Sequence, residues 1–274
     1  MHPVTYLFVP GTEDRKIAKA MQSDADAVIL DLEDSIADDM KEGAREHLAG
    51  YVRSLQPGSV RAEVWVRINS DDSLFPADVK AIPWNNVHGA VLPKAERRES
   101  ITALIDAGAK RVLPIIESAA GVLGCAGIAE VTGVACLALG RFDLAADLGI
   151  DPDGASAALT MARASVVLAS TAGRIDPPLD SPWLKIADLD GLRAAAEQAR
   201  ADGFGGMLVI HPSHLETVNQ VFSPTADELV WARGIVASSA EAESGGRGAY
   251  TRDGEMVDEA VVKRARAILR DTQP

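Results

Sequence analysis

Residues able to do chemistry stand at the ends of short apolar runs along this chain. Asp31, Glu33 and Asp34 follow Ala27-Val28-Ile29-Leu30, and Arg67 and Asn69 close the run that starts at Val64. Lys94 follows Gly89-Ala90-Val91-Leu92, and Glu117-Ser118 follow Arg111–Ile116. Asp143 comes just after Val134–Leu139, Pro10-Gly11 after Tyr6–Val9, and His211-Pro212 after Met207–Ile210. Carboxylates gathered with an arginine are costly unless together they hold a cation and an anion. Glu117 and Asp143 have no His or Cys beside them. As hard oxygen donors they suit Mg²⁺ or Mn²⁺ better than Zn²⁺. Arg67 offers a planar fork that matches a carboxylate. A keto acid chelating the metal, with Arg67 neutralising its charge, suits aldol or retro-aldol chemistry. Plainer roles stand beside these: Arg67 as an ion-pair partner of Asp31 or Glu33, and Glu117 as a helix N-terminal carboxylate.

The elements that must position these residues read as alternating strands and helices. The apolar runs are near-continuous, as in strands buried on both faces of a parallel sheet. Between them lie Ala-rich helical patterns at Glu13–Gln22, Lys41–Leu55, Ser100–Ala107, Ala158–Ala172 and Leu189–Ala201. Seven strands are clear. An eighth is expected at Gly173–Asp176, before Pro177-Pro178, which puts Asp176 among the residues at the strand ends. Eight such units suit a (β/α)₈ TIM barrel, whose active sites form at the C-terminal ends of the strands. Pro10-Gly11-Thr12 is not the Gly-rich phosphate loop of a doubly wound sheet. The expected division is a barrel over residues 1–222 and a C-terminal helical extension and lid over 223–274. The extension has helical patterns at Thr225–Ser239 and Asp258–Arg270, and a Gly-rich stretch, Ser244–Gly248, that suggests a mobile lid.

Composition sets limits. The chain has 274 residues, 47% hydrophobic and 24% charged, so disorder throughout is excluded. Its net charge is −13, which argues against nucleic acid or an anionic membrane as the main partner. Cys125 and Cys136 are too few for a disulfide framework and are expected in apolar core. The start of the chain shows no secretory leader and no run is long enough to span a membrane, so a cytoplasmic location is expected.

The ordered motifs resemble the citrate lyase β-subunit-like (CitE-like) proteins of the HpcH/HpaI aldolase and malyl-CoA lyase superfamily. They are Leu7-Phe8-Val9-Pro10-Gly11, Ala27–Ser35, Lys41 with Ala44-Arg45, Val66-Arg67-Ile68-Asn69 and Leu92-Pro93-Lys94. Further on come Ile116-Glu117-Ser118, Asp143-Leu144, Asp147-Leu148-Gly149, Ile210–Ser213, Gly248-Ala249-Tyr250 and Gly254–Asp258. The resemblance implies a barrel, a homotrimer or hexamer, and Mg²⁺-dependent C–C cleavage of a 3-hydroxyacyl thioester. The products would be a keto acid and a shorter acyl-CoA. It implies that Glu117 and Asp143 bind Mg²⁺, with Asp31 and Glu33 or Asp34 supporting the metal's waters. Arg67 would hold the keto-acid carboxylate, and Pro10-Gly11 would line the same mouth. Asp258 would be the lid carboxylate acting as acid/base, which in such proteins can come from a neighbouring subunit. The chain departs from the family pattern at Arg141-Phe142, Met207 and His214.

His211, followed by Pro212, is expected to fix a turn rather than act as a base. Lys94 is expected in an ion pair rather than as a Schiff-base lysine.

Overall fold

The computed structural model describes the chain except for Met1, Pro57, Ser59, residues 245–247, Asp253 and residues 271–274. Part of the expected Gly-rich lid therefore lies outside the described residues. The chain divides into two compact units, Pro3–Phe222 and Ser223–Pro274 with the first two residues.

In the first unit eight parallel strands close into a barrel in sequence order. They are β1 (Thr5–Pro10), β2 (Ala27–Asp31), β3 (Glu63–Arg67), β4 (Gly89–Leu92), β5 (Val112–Ile116), β6 (Ala138–Leu139), β7 (Leu179–Asp180) and β8 (Gly206–Val209). The helices between and after them are α1 (Asp14–Met21), α2 (Lys41–Ser54), α3 (Phe75–Ala81), α4 (Arg98–Asp106), α5 (Ala119–Ala129), α6 (Arg141–Leu148), α7 (Ala157–Gly173), α8 (Leu189–Asp202) and α9 (Leu215–Phe222). Successive strand residues face opposite ways, so one face fills the barrel and the other meets the helices. Tyr6, Ile29, Trp65, Val91, Leu113 and Leu208 form part of a separate inner cluster. Leu7, Val28, Val66 and Val209 pack in the outer layer instead. Such two-sided burial is why the strands read as unbroken apolar runs.

Two expectations need correction. The eighth strand is not Gly173–Asp176. Gly173 ends α7, and Arg174 follows it in the left-handed conformation (φ 57°). β7 comes after the two prolines, which have no N–H for a ladder; Asp176 N–H makes one bond to Ala135 O at 3.0 Å ahead of them, and the strand itself begins at Leu179, which donates to Leu137 O at 2.9 Å. Asp176 therefore lies ahead of the strand, and Asp180-Ser181 stand at its C-terminal end. The long run Val134–Leu139 also gives only a short strand, with one isolated bridge at Val134.

The second unit consists of α10 (Ala226–Ser244), the antiparallel hairpin β9 (Tyr250–Arg252) and β10 (Glu255–Val257), and α11 (Glu259–Arg270). Ala232, Ile235, Val257, Val262 and Ala265 form its core. No described helix is long and apolar enough to cross a membrane.

Candidate active site

The period-2 alternation of the strands places the candidate residues. Ile29 is an inner residue, so Asp31 two positions on also faces inward. Trp65 leads to Arg67 and Ile115 to Glu117 by the same step. Asp31 and Arg67 are direct register partners on β2 and β3. All three side chains are buried.

Arg67 is gripped in one plane. Its Nε donates to Asp31 Oδ1 at 2.6 Å and its Nη2 to Asp31 Oδ2 at 2.9 Å. Its Nη1 lies 2.8 Å from Glu33 Oε2 and donates to Asp34 Oδ2 at 3.1 Å. The guanidinium stacks on the Phe8 ring, 4.6 Å from its centroid. Burial alone would raise the Asp31 carboxyl, but the hydrogen bonds and charge of Arg67 outweigh it and hold the carboxyl below its ordinary value. Glu33 is raised, burial being the largest cause, opposed by Arg67 and Lys94. The two carboxylates are thus pushed apart, a pattern common where charge is managed for function.

Lys94 joins the two halves of the site. Its Nζ reaches Glu33 Oε1 at 2.6 Å, and its backbone N–H donates to Glu117 Oε1 at 2.7 Å. That second bond needs a left-handed backbone at Lys94 (φ 47°), an uncommon conformation for a residue with a side chain. Burial would lower the Lys94 ammonium, but Glu33 raises it above its ordinary value. A Schiff-base lysine needs the opposite, so the expected ion-pair role holds.

Glu117 is the least compensated group here. Burial, with the charge of Asp143 next, pushes its carboxyl up to about 8. Among the described residues its hydrogen-bond donor is the backbone N–H of Lys94. Asp143 stands in the first turn of α6. Gly140, just before that helix, leaves the space the Glu117 carboxylate occupies; a Cβ there would overlap it. Gly140→Ala is therefore expected to displace Glu117 and lower any dependence of activity on divalent metal about tenfold or more. Metal titration of activity, beside a thermal melt, checks this.

The donor set fits a hard divalent cation. No cluster of three or more His, Cys, Asp or Glu side chains at metal-holding spacing exists among the described residues. Two carboxylates with the remaining positions left to water and substrate is the usual arrangement for Mg²⁺, and a poorly compensated buried carboxylate facing another calls for positive charge.

Several contributors were not assigned roles from sequence. Lys41, buried, donates from Nζ to Leu32 O at 3.0 Å and Glu33 O at 2.6 Å, fixing the turn after β2. Asp78 accepts from Asn69 N and Nδ2 and from Arg45 Nε, anchoring the chain just past Arg67. Ser181 Oγ accepts from Arg141 N and donates to Leu139 O, tying α6 to the end of β7. Lys41 and Arg45 lie together in one of the stretches that resemble the family, which was the available signal for the first two. A cavity of about 470 Å³ opens beside the cluster, lined among others by Glu33, Asp34, Lys41, Asn69 and Lys94.

Other candidates fall as follows. Gly11 N–H is spent on Asp31 O at 2.9 Å, and a Cβ there would press on that same oxygen, so Gly11 is held against the end of β2. His211 Nδ1 accepts from Ser213 N, the turn-fixing role expected. Asp258 belongs to the second unit and caps α11, its Oδ1 accepting from Ala260 N and Val261 N. Cys125 and Cys136 are free and buried.

With this geometry in view, the comparisons are specific. A citrate lyase subunit beta-like protein of Deinococcus radiodurans is 32% identical over 96% of this chain and 95% of its own length. A (3S)-malyl-CoA thioesterase of Cereibacter sphaeroides is 33% identical, covering 98% and 94%. The solved CitE of Mycobacterium tuberculosis, in complex with magnesium, acetoacetate and coenzyme A, superposes with a TM-score of 0.80 at 31% identity, over 98% of this chain and 97% of that one. The sequence profile of the HpcH/HpaI aldolase/citrate lyase family matches residues 5–212, and the chain belongs to that family.

Proposed function

We propose that this protein is a Mg²⁺-dependent carbon–carbon lyase. It cleaves a 3-hydroxyacyl thioester of the citramalyl-, citryl- or malyl-CoA kind into a keto acid and a shorter acyl-CoA. The observation that carries the reading is Glu117, a buried carboxyl raised to about 8 beside Asp143 and on the same barrel mouth as Arg67. The magnesium bound by the M. tuberculosis CitE and the citramalyl-CoA lyase of Rattus norvegicus, 30% identical over 96% of this chain, support it.

Glu117 and Asp143 would hold the cation, which when bound supplies Lewis-acid polarisation of the substrate's hydroxyl and keto oxygens. Arg67 holds the keto-acid carboxylate. Its plane is already fixed by Asp31, so little orientation is lost on binding. Asp31 stays ionised and keeps the guanidinium aligned. Glu33, braced by Arg67 and Lys94, orders water at the same mouth. Pro10-Gly11 walls off the substrate. Asp258 is the proton donor to the enolate carbon left on the thioester.

We also propose a cytoplasmic homo-oligomer, trimer or hexamer. In support, Leu123, Met161 and Leu168 are exposed on the packed helices α5 and α7. A second reading, hydrolysis of the thioester, is favoured by the C. sphaeroides relative. A third is a citrate lyase subunit acting on a carrier-bound chain. Product analysis with Mg²⁺ and citramalyl-, citryl- and malyl-CoA separates them. The expected result is a keto acid with a shorter acyl-CoA, lost on chelation. Free CoA without keto acid means a hydrolase, and no turnover of any CoA ester removes the stand-alone lyase.

A further inference from the structure

A second cavity, of about 270 Å³, lies at the loops that follow β6 and β7. Arg141, Asp153 and Trp183 form part of its wall, and Leu159, Ala195 and Met207 give it an apolar side. Two N–H donors of residues on that wall, Arg141 Nε and Trp183 Nε1, are closed off from solvent and have no hydrogen-bond partner among the described residues. Buried donors left unpaired are rare and costly, so a pair at one cavity asks for an acceptor.

The charges point the same way. Arg163, also on the wall, is fully engaged, 2.6 Å from Asp180 and 2.9 Å from Asp202. Arg141 is not. Its ion pair with Asp153 is 3.7 Å long, beyond hydrogen-bond reach, and Asp153 is shared with Lys185 at 3.2 Å. The Arg141 backbone N–H is fixed on Ser181 Oγ at 2.9 Å, while its guanidinium rests on the Phe142 ring, 4.7 Å from the centroid. The side chain can turn on a held anchor with no strong hydrogen bond to break.

We infer that this cavity is a second carboxylate site, for a small aliphatic organic acid, with Arg141 as its reader and Trp183 Nε1 as the second donor. A carboxylate brings one negative charge and two acceptor oxygens to two orphaned donors. The apolar side takes a short methylene chain, and the volume is below that of pockets for drug-sized ligands. Arg141 and Asp143 are two positions apart on α6, so their side chains leave the helix on different sides. An acid held at Arg141 therefore does not displace a ligand at Asp143.

The test is calorimetric titration of the full chain with succinate, propionate and propionamide. The expected result is binding of both acids but not of the amide. Arg141→Ala weakens the acids about tenfold or more, Arg141→Lys restores part, and Trp183→Phe weakens them a few-fold. Binding survives Arg67→Lys. Repeating the succinate titration with Mg²⁺ and saturating pyruvate or oxaloacetate identifies the source. Displacement by oxaloacetate alone assigns the site to the substrate's own second carboxylate, and binding alongside both keto acids assigns it to a separate acid. The inference is overturned if Arg141→Ala and Trp183→Phe bind like the parent, if the amide binds equally, if Arg67→Lys alone abolishes binding, or if pyruvate also displaces succinate. None of these readouts depends on lyase turnover, so failure of the lyase reading is seen separately.

Discussion

Arg67→Ala is expected to reduce turnover about a thousandfold and to destabilise the fold by about 3–5 kcal/mol. The two losses have one cause. Arg67 is buried and engages three carboxylates, Asp31, Glu33 and Asp34. Removing it takes away the fork proposed to hold the substrate's carboxylate and leaves Asp31 and Glu33 as buried charges with less compensation. The size of the stability loss reflects that orphaned charge rather than the worth of the pair itself.

The pH dependence gives the sign. Asp31 has a carboxyl held below its ordinary 3.8 in the folded chain. Its contribution is present above that value and is lost as pH falls through the folded value. The deficit of Arg67→Ala against the parent should therefore be largest near neutral pH and shrink on acidification below about 3.8. Denaturant unfolding at several pH values measures it. Arg67→Lys keeps a charge but loses the planar grip on Asp31. It should recover most of the stability and little of the turnover. Equal recovery of both would show that only charge matters at this position and would remove the case for a carboxylate fork.

That separation also explains what could be read ahead of the structure. Burial on both strand faces leaves unbroken apolar runs, so the strands and the polar residues ending them were visible. Asp31, Arg67 and Glu117 come together because each lies two residues beyond an inner side chain, a periodicity carried by sequence. Of the two readings offered for Arg67, the structure shows the ion pair with Asp31, and that pairing fixes the plane of the guanidinium proposed to meet the substrate. The seventh strand was displaced because β6 and β7 make only short ladders. With so few residues, the apolar signal around Gly173–Asp176 was no weaker than that of Leu179-Asp180. The bridge through Lys94 was not legible, since it depends on a left-handed backbone at a lysine, which no side-chain pattern announces. The same holds for Ser181, whose hydroxyl acts on a strand and helix about 40 residues away.

Glu117→Gln is expected to abolish Mg²⁺-dependent turnover while making the metal-free protein more stable at alkaline pH. In the folded chain this carboxyl is raised from 4.5 to about 8, mainly by burial and then by Asp143. Between those values the folded state holds a proton that the unfolded state has released. Stability therefore falls as pH rises through this window, by up to ~5 kcal/mol if the whole displacement is expressed. A neutral glutamine carries no such penalty, so its stability should be nearly flat over the same range. Bound Mg²⁺ cancels the slope for the parent, because the metal needs the ionised carboxylate and its binding releases the proton. The stabilisation by Mg²⁺ should then grow with pH up to about 8 in the parent and be absent in Glu117→Gln. Thermal melts from pH 6 to 9, with and without Mg²⁺, read all of this without any substrate. If Glu117→Gln keeps both the parent's pH slope and its Mg²⁺ shift, Glu117 neither titrates in this window nor holds the metal. The cation would then have to be assigned to the cluster of Glu33 and Asp34 beside Arg67, where Lys94 and Arg67 already supply positive charge and a metal has far less to gain.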